Sequence, residues 1–153
     1  MSKLLFYYLF IVIICFGCND SPVNSQESTT TGDSNQSFIS IDFGNKTNSS
    51  VEIILNTSEN VSGFQFTISG ATVTSFEGGL ADDYGFSIAN NSNTGIVIGY
   101  SLSGEFIPAG SNDILTTLLF TNPNSELCLS NVILSSPNAE SLNIDLIGDC
   151  IEY

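Results

Sequence analysis

From residue 38 onward, short apolar runs alternate with turn-forming residues, and within the runs apolar residues recur at every second position. Phe64, Phe66 and Ile68 follow this period, as do Ile96 and Ile98. A period of two is typical of strands that bury one face. Clusters of Gly, Asn, Ser and Pro separate the runs, and no stretch of ten residues shows the 3.6-residue period of a helix. The pattern predicts nine strands, at 38–43, 50–56, 61–69, 71–76, 84–89, 95–102, 114–121, 129–135 and 142–147.

Short strands at this spacing predict an all-β chain that folds as a single jelly-roll β-sandwich. Residues 37–153 would form this domain, which is long enough to enclose a hydrophobic core. The segment before it differs in composition. Between residues 19 and 36 the only aliphatic residue is Val23, and Ser, Thr and Asn predominate. Because such a segment cannot bury a core, we expect a disordered tether that spans about 20–25 Å on average.

Residues 1–18 have the features of an export signal. Lys3 supplies a positive charge, and residues 4–17 form an uncharged apolar run. The run is shorter than the ~20 residues that a membrane-spanning helix needs, and its length suits a signal peptide. It ends in Gly17-Cys18, an order that resembles the lipobox of bacterial lipoproteins, in which the cysteine is acylated. We expect export and lipidation at Cys18, in the periplasm or on the cell surface. An ordinary secretory signal is the alternative.

The charge balance excludes one class of partner. The chain has 16 acidic and 2 basic residues, a net charge of −14. Since Lys3 belongs to the signal, Lys46 is the only basic residue in the remainder. A field of this sign repels phosphate backbones and anionic lipid headgroups, which excludes nucleic-acid binding. Membrane contact would therefore come from the lipid anchor and not from a basic patch.

Two cysteines, Cys128 and Cys150, remain outside the signal. In an oxidising compartment an even pair is most simply a disulfide, and closing a loop of this size stabilises a fold by about 3 kcal/mol in the chain-entropy model. The chain has no histidine, so two cysteines cannot complete a four-ligand zinc site. The sequence predicts a Cys128–Cys150 disulfide.

The residues needed for common hydrolytic chemistry are missing. The absence of histidine excludes Ser-His-Asp and Cys-His catalysis, and residues 99–103 lack the final glycine of a nucleophile elbow. Glu77 with Asp82 or Asp83 is the only carboxylate cluster that could support glycoside hydrolysis. The chain has no tryptophan to form a sugar platform, so a solvated acidic loop is the better interpretation. The same three residues are weak calcium candidates, without a defined ligand spacing. We expect no enzyme activity, no catalytic residue and no cofactor.

Three blocks of the sequence resemble cohesin domains, the jelly-roll modules that dock dockerin-bearing partners in extracellular polysaccharide-degrading complexes. The blocks are residues 51–68, residues 85–88 followed by 95–100, and residues 112–120, in the order that cohesins have them. The sequence departs from the family at Ser69-Gly70-Ala71, where tyrosine, aspartate and proline are common. The resemblance implies a non-catalytic module that docks a protein partner, dockerin-like or other. Carbohydrate-binding modules share the architecture, so a polysaccharide ligand is an alternative, and a purely structural surface module is another.

The resemblance also implies a partner-binding face. If Ile114, Thr116, Leu118 and Phe120 point into the core, as the family pattern implies, the residues between them point outward. The expected face consists of Gln65, Thr67, Val97, Ser101, Leu115, Thr117 and Leu119, with Gly63 and Gly99 between them. Coverage of Leu115 and Leu119 by a loop or by the tail of the chain is the alternative. A glycan ligand would instead use Tyr84 or Tyr100, because sugars stack on aromatic rings.

Overall fold

The structure is a computed structural model that describes residues 37–124 and 126–153. The predicted signal, the lipidation site Cys18 and the tether at 19–36 lie outside the described residues. Within them the chain forms ten strands and one short helix. In chain order these are β1 (Ile39–Lys46), β2 (Ser50–Thr57), β3 (Gly63–Ser69), β4 (Thr72–Glu77), α1 (Gly79–Asp83), β5 (Ser87–Asn91), β6 (Ile96–Tyr100), β7 (Ser111–Thr121), β8 (Glu126–Ser135), β9 (Leu146–Ile147) and β10 (Ile151–Glu152).

The strands form two five-stranded sheets. One has the order β4-β7-β2-β1-β9 and the other the order β10-β8-β3-β6-β5. Neighbouring strands are antiparallel except β1 and β9, which are parallel. Because the short C-terminal strands β9 and β10 join different sheets, the end of the chain crosses from one sheet to the other.

The core lies between the sheets and follows the period of two. Val51, Ile53 and Leu55 on β2 are fully buried, and β3 buries its three apolar residues in the same alternating way. Burying a side chain of this size stabilises the fold by about 1.5–3 kcal/mol. No helix in the described part of the chain is long and apolar enough to cross a membrane.

The all-β sandwich and the nine predicted strands are confirmed, although the ninth is reduced to two residues. The alternation did not predict α1 or β10. A five-residue helix is too short to display a helical period. It begins at a pair of glycines with positive φ, and a Cβ on Gly79 would lie 2.5 Å from the carbonyl oxygen of Ile114. Only glycine allows α1 to approach β7 so closely.

The predicted disulfide is also confirmed. Cys128 and Cys150 are bonded, with their Cα atoms 4.2 Å apart. Cys128 lies on β8 and Cys150 directly precedes β10, whose Ile151 pairs with Leu127. The bond therefore fixes the C-terminal strand to the edge of the second sheet.

Candidate functional site

The expected face is not one surface, because its strands belong to different sheets. β3 and β6 are neighbours, but β7 lies between β4 and β2 in the opposite sheet. Thr117 and Leu119 are half-buried on β7 and cannot join Gln65. Their predicted place beside β3 is wrong, because strand neighbours in a sandwich are set by non-local pairing that alternation along one strand does not reveal.

The inward-facing and outward-facing sides of β6 are also the reverse of those predicted. Val97 is fully buried, while Ile98 and Tyr100 point outward, each 42% exposed. The register explains this, because Phe64 pairs with Gly99 and Val97 with the inward Phe66. Directly opposed residues of antiparallel strands share a face, so Val97 and Gly99 point into the core.

Two further members of the expected face have other roles. Ser101 is half-buried just beyond β6, and its hydroxyl accepts a hydrogen bond from the amide of Glu105 at 3.0 Å, which closes a turn. Leu115 is fully buried. A bulge causes this: Ile53 pairs with Thr116 and Ile54 with Ile114, which leaves Leu115 as the extra residue of β7. The prediction that Leu115 and Val97 are outward-facing is wrong.

The outward residues of β8, β3, β6 and β5 form one continuous surface, which we call the open face. Gln65 lies at its centre, paired with Ile98 on one side and Ile133 on the other. Ile133 is 50% exposed. Gly63 lies in the next row, between Tyr100 and Ser135. The missing side chain at Gly63 leaves a depression of about 240 Å³ between these residues.

The far end of the open face is polar. Thr67, predicted to point outward with Gln65, does so and is half-buried. Its hydroxyl accepts a hydrogen bond from the amide nitrogen of the Asn131 side chain at 3.4 Å. Asn131 has a φ of 50° and lies where the β8 register shifts against β3. The face thus has an apolar centre and a polar margin.

The open face carries almost no charge. β3, β5 and β6 contain no charged residue, and β8 contains only Glu126, at its start. In the opposite sheet, β1, β2, β4 and β7 each carry at least one acidic residue. In a chain of net charge −14, the lack of charged side chains distinguishes the open face from the opposite sheet. Depletion of charge with exposed aliphatic and tyrosine side chains is typical of the centre of a protein interface.

Stacked aromatic rings support the open face from below. Phe64 stacks on Phe66 and on Phe86, with ring centroids 5.9 Å apart in both pairs. A Cβ on Gly99 would lie 2.0 Å from Cζ of Phe64, so the ring of Phe64 fills the space below β6. The backbone of the face therefore rests on a packed layer and is held in one arrangement.

The acidic candidates lie elsewhere, between β4, α1 and β5. Glu77 and Asp82 line a depression of about 170 Å³ together with Phe76, Phe86 and Thr116. Asp83 is exposed on α1 and is not part of its lining. Among the described residues, the only group of three or more possible metal ligands within 4.8 Å of one another is Glu126, Cys128 and Cys150. The carboxylates of Glu77, Asp82 and Asp83 therefore do not form a convergent set.

The two tyrosines proposed for a glycan differ in position. Tyr100 lies on the open face, whereas Tyr84 is partly buried against the core beside α1. Ile98 and Ile133, which are 42% and 50% exposed, were not predicted as surface residues, and Tyr100 was expected at the surface only for a glycan ligand. For the two β6 residues, Ile98 and Tyr100, the available signal is Gly99, because a glycine opposite a buried phenylalanine indicates the inward side of a strand.

No protein-family model and no curated protein sequence matches the chain. Solved structures do. CaCohA2 from Clostridium acetobutylicum has 18% sequence identity, a TM-score of 0.52, and an alignment covering 75% of this chain and 90% of that one. A type I cohesin–dockerin complex from Clostridium thermocellum has 6% sequence identity and a TM-score of 0.52, and the alignment covers 74% of this chain and 90% of that one. The sixth cohesin of scaffoldin B from Acetivibrio cellulolyticus, in complex with a dockerin, has 16% sequence identity and a TM-score of 0.50. That alignment covers 76% of this chain and 97% of the cohesin chain. The described domain has a cohesin-like fold.

Proposed function

We propose that the domain is a non-catalytic module that docks a protein partner on the open face. The observation that carries the proposal is the uncharged centre formed by Gln65, Ile98, Tyr100 and Ile133 in an otherwise acidic chain. Cohesins of similar fold occur in complexes with dockerins, which supports a protein as the ligand class.

We further propose that the module works outside the cytoplasm, held to a membrane by a lipid on Cys18 and separated from it by residues 19–36. The lipobox-like end of the apolar run supports this part. Cys18→Ser should release the protein from the membrane fraction or block its processing. Normal membrane fractionation of that variant would contradict the anchor and would leave the docking proposal intact.

Site-specific photocrosslinking tests the docking proposal. A benzophenone amino acid at Gln65 should form an adduct with a protein partner in the native secretome or envelope fraction. The matched control places it at Ser75, which is exposed on β4 of the opposite sheet. An adduct from both positions, or from Ser75 alone, would contradict docking on the open face.

A polysaccharide retention assay examines the other ligand class. If the chain is retained on polysaccharide and Tyr100→Ala abolishes retention, the open face binds glycan and the protein-docking proposal is wrong. If Tyr100→Ala is retained on polysaccharide as well as the unmodified chain, the glycan does not bind the open face. A protein adduct from Gln65 without polysaccharide retention is the result that we expect.

A further inference from the structure

The C-terminal residues 150–153 connect the two sheets at a corner of the sandwich. On one side, β10 pairs with Glu126 and Leu127 of β8, and the disulfide joins Cys150 to Cys128. On the other side, Tyr153 reaches the turn between β1 and β2. Its hydroxyl donates to the carbonyl oxygens of Thr47 at 2.9 Å and Ser50 at 3.2 Å.

The ring of Tyr153 is held by two further contacts. The ammonium of Lys46 lies 4.6 Å from the ring centroid, and the ring packs edge-on against Phe120 with centroids 5.3 Å apart. Lys46 also donates to the carbonyl oxygen of Glu152. Because Phe120 is only 2% exposed, the tail closes over the core at this corner.

The disulfide adds a covalent link to a tail whose strand pairing is short. β10 has two residues and two register pairs. Ordering a backbone residue opposes folding by about 1–2 kcal/mol, whereas a net hydrogen bond returns about 1 kcal/mol. The disulfide removes most of the freedom that the open tail would have. Without it, noncovalent contacts alone would have to offset the ordering entropy of residues 150–153.

The disulfide is accessible to thiol exchange. Cys150 is exposed and Cys128 is half-buried, so an attacking thiolate reaches the sulfur of Cys150. The carboxylate of Glu126 lies within 4.8 Å of both sulfurs, and its negative charge disfavours anionic attackers such as glutathione. An uncharged dithiol is therefore the suitable probe. β3 runs close to this bond, since Ser69 pairs with Cys128, whereas the core residues of β2 lie in the opposite sheet.

We propose that residues 150–153 form a redox-sensitive latch, which the Cys128–Cys150 disulfide holds closed and which thiol exchange opens without unfolding the sandwich. One thiolate of the dithiol attacks the sulfur of Cys150. The S–S bond breaks, and Cys128 leaves as a thiolate that takes a proton from solvent. The second thiol of the probe then displaces Cys150 and closes a cyclic disulfide, so two electrons and two protons have passed to the cysteines. Opening converts a closed corner into a free edge of β8.

Amide hydrogen exchange of the full chain, with and without the dithiol, tests the latch. Reduction should speed exchange at residues 150–153 and at Glu126 and Leu127 at least about tenfold more than at residues 53–55 of β2, where exchange should rise only through the loss of global stability. If residues 150–153 stay protected after reduction, the disulfide does not hold the latch. If exchange at residues 53–55 rises as much as at residues 150–153, the bond acts only as a staple of the whole domain. Either result overturns the proposal.

Two variants serve as controls. Cys128→Ser/Cys150→Ser should exchange like the reduced chain and should not respond to the dithiol, because the reagent has no target. A response in this variant would overturn the assignment to the disulfide. Tyr153→Phe keeps the ring and loses the hydroxyl. In the oxidised chain its exchange at residues 150–153 should stay within about twofold of the unmodified protein, since the disulfide still closes the latch. A larger rise would show that the Tyr153 hydroxyl, and not the disulfide, holds the latch.

Discussion

Replacing Gly99 by alanine should destabilise the sandwich strongly, because the new Cβ has no room. It would lie 2.0, 2.3 and 2.5 Å from three ring carbons of Phe64, whereas carbon atoms pack at about 3.5–4.0 Å. The ring would have to move by about 1.5 Å, but it is 3% exposed and stacked between Phe66 and Phe86. Overpacking of this kind costs about 1–3 kcal/mol, and a site held on both sides should lie near the upper end.

Equilibrium unfolding in urea measures the effect. With a slope of about 1–3 kcal/mol per molar urea, a loss of about 3 kcal/mol lowers the midpoint by roughly 1–3 M. Gly63→Ala is the matched control, because its Cβ would come too close only to the movable hydroxyl of Ser135, at 2.8 Å, and would lie at an ordinary 3.6 Å from the carbonyl oxygen of Gly99. The control substitution should lower the free energy of unfolding by less than about 1 kcal/mol. If both variants lose the same free energy of unfolding, Gly99 does not point inward. The composition of the open face would then be wrong as well.

Three more predictions concern the core, the disulfide and the tail. Leu115→Ala should lower the free energy of unfolding by about 2–5 kcal/mol in urea titrations, whereas the half-buried Thr117→Ala should change it by less than about 1 kcal/mol. Similar losses would contradict the bulge. Cys128→Ser/Cys150→Ser should cost about 3 kcal/mol by thermal unfolding, and an unchanged midpoint would show that the bond contributes nothing. Burial raises the pKa of the Tyr153 hydroxyl above its ordinary value. Its contribution to stability is therefore complete below about pH 10 and is lost as the pH rises through the raised pKa. The alkaline decline in unfolding midpoint should be smaller in Tyr153→Phe, and identical declines would contradict the assignment.

The strands could be predicted from the sequence because each signal is local. A period of two and the turn residues between runs do not depend on what a strand pairs with, so the boundaries of β2 and β7 were close to those observed. The disulfide followed from the even cysteine pair together with the expected oxidising compartment. β10 was missed because two residues cannot show a period, and because its stability comes from the disulfide and the Tyr153 contacts.

The site was predicted less well because it depends on non-local pairing. β6 reads Ile-Val-Ile-Gly-Tyr, which is apolar on both sides, so alternation cannot say which side is buried. The register against Phe64 and Phe66 decides it. Leu115 was misplaced for a related reason, since a bulge shifts the alternation by one residue. Gln65 and Thr67 were placed correctly because every inward residue of β3 is large and apolar and every outward one is small or polar.

Isothermal titration calorimetry with the partner captured through Gln65 measures directly whether docking uses the open face. Ile133 and Leu146 are 50% and 52% exposed, but Leu146 lies on β9 of the opposite sheet. Glutamate at either position should leave the domain folded, which an unchanged urea midpoint verifies. We expect Ile133→Glu to weaken binding by about tenfold or more and Leu146→Glu to leave the affinity within about twofold. Unchanged affinity in Ile133→Glu, or a greater loss in Leu146→Glu, would contradict docking on the open face.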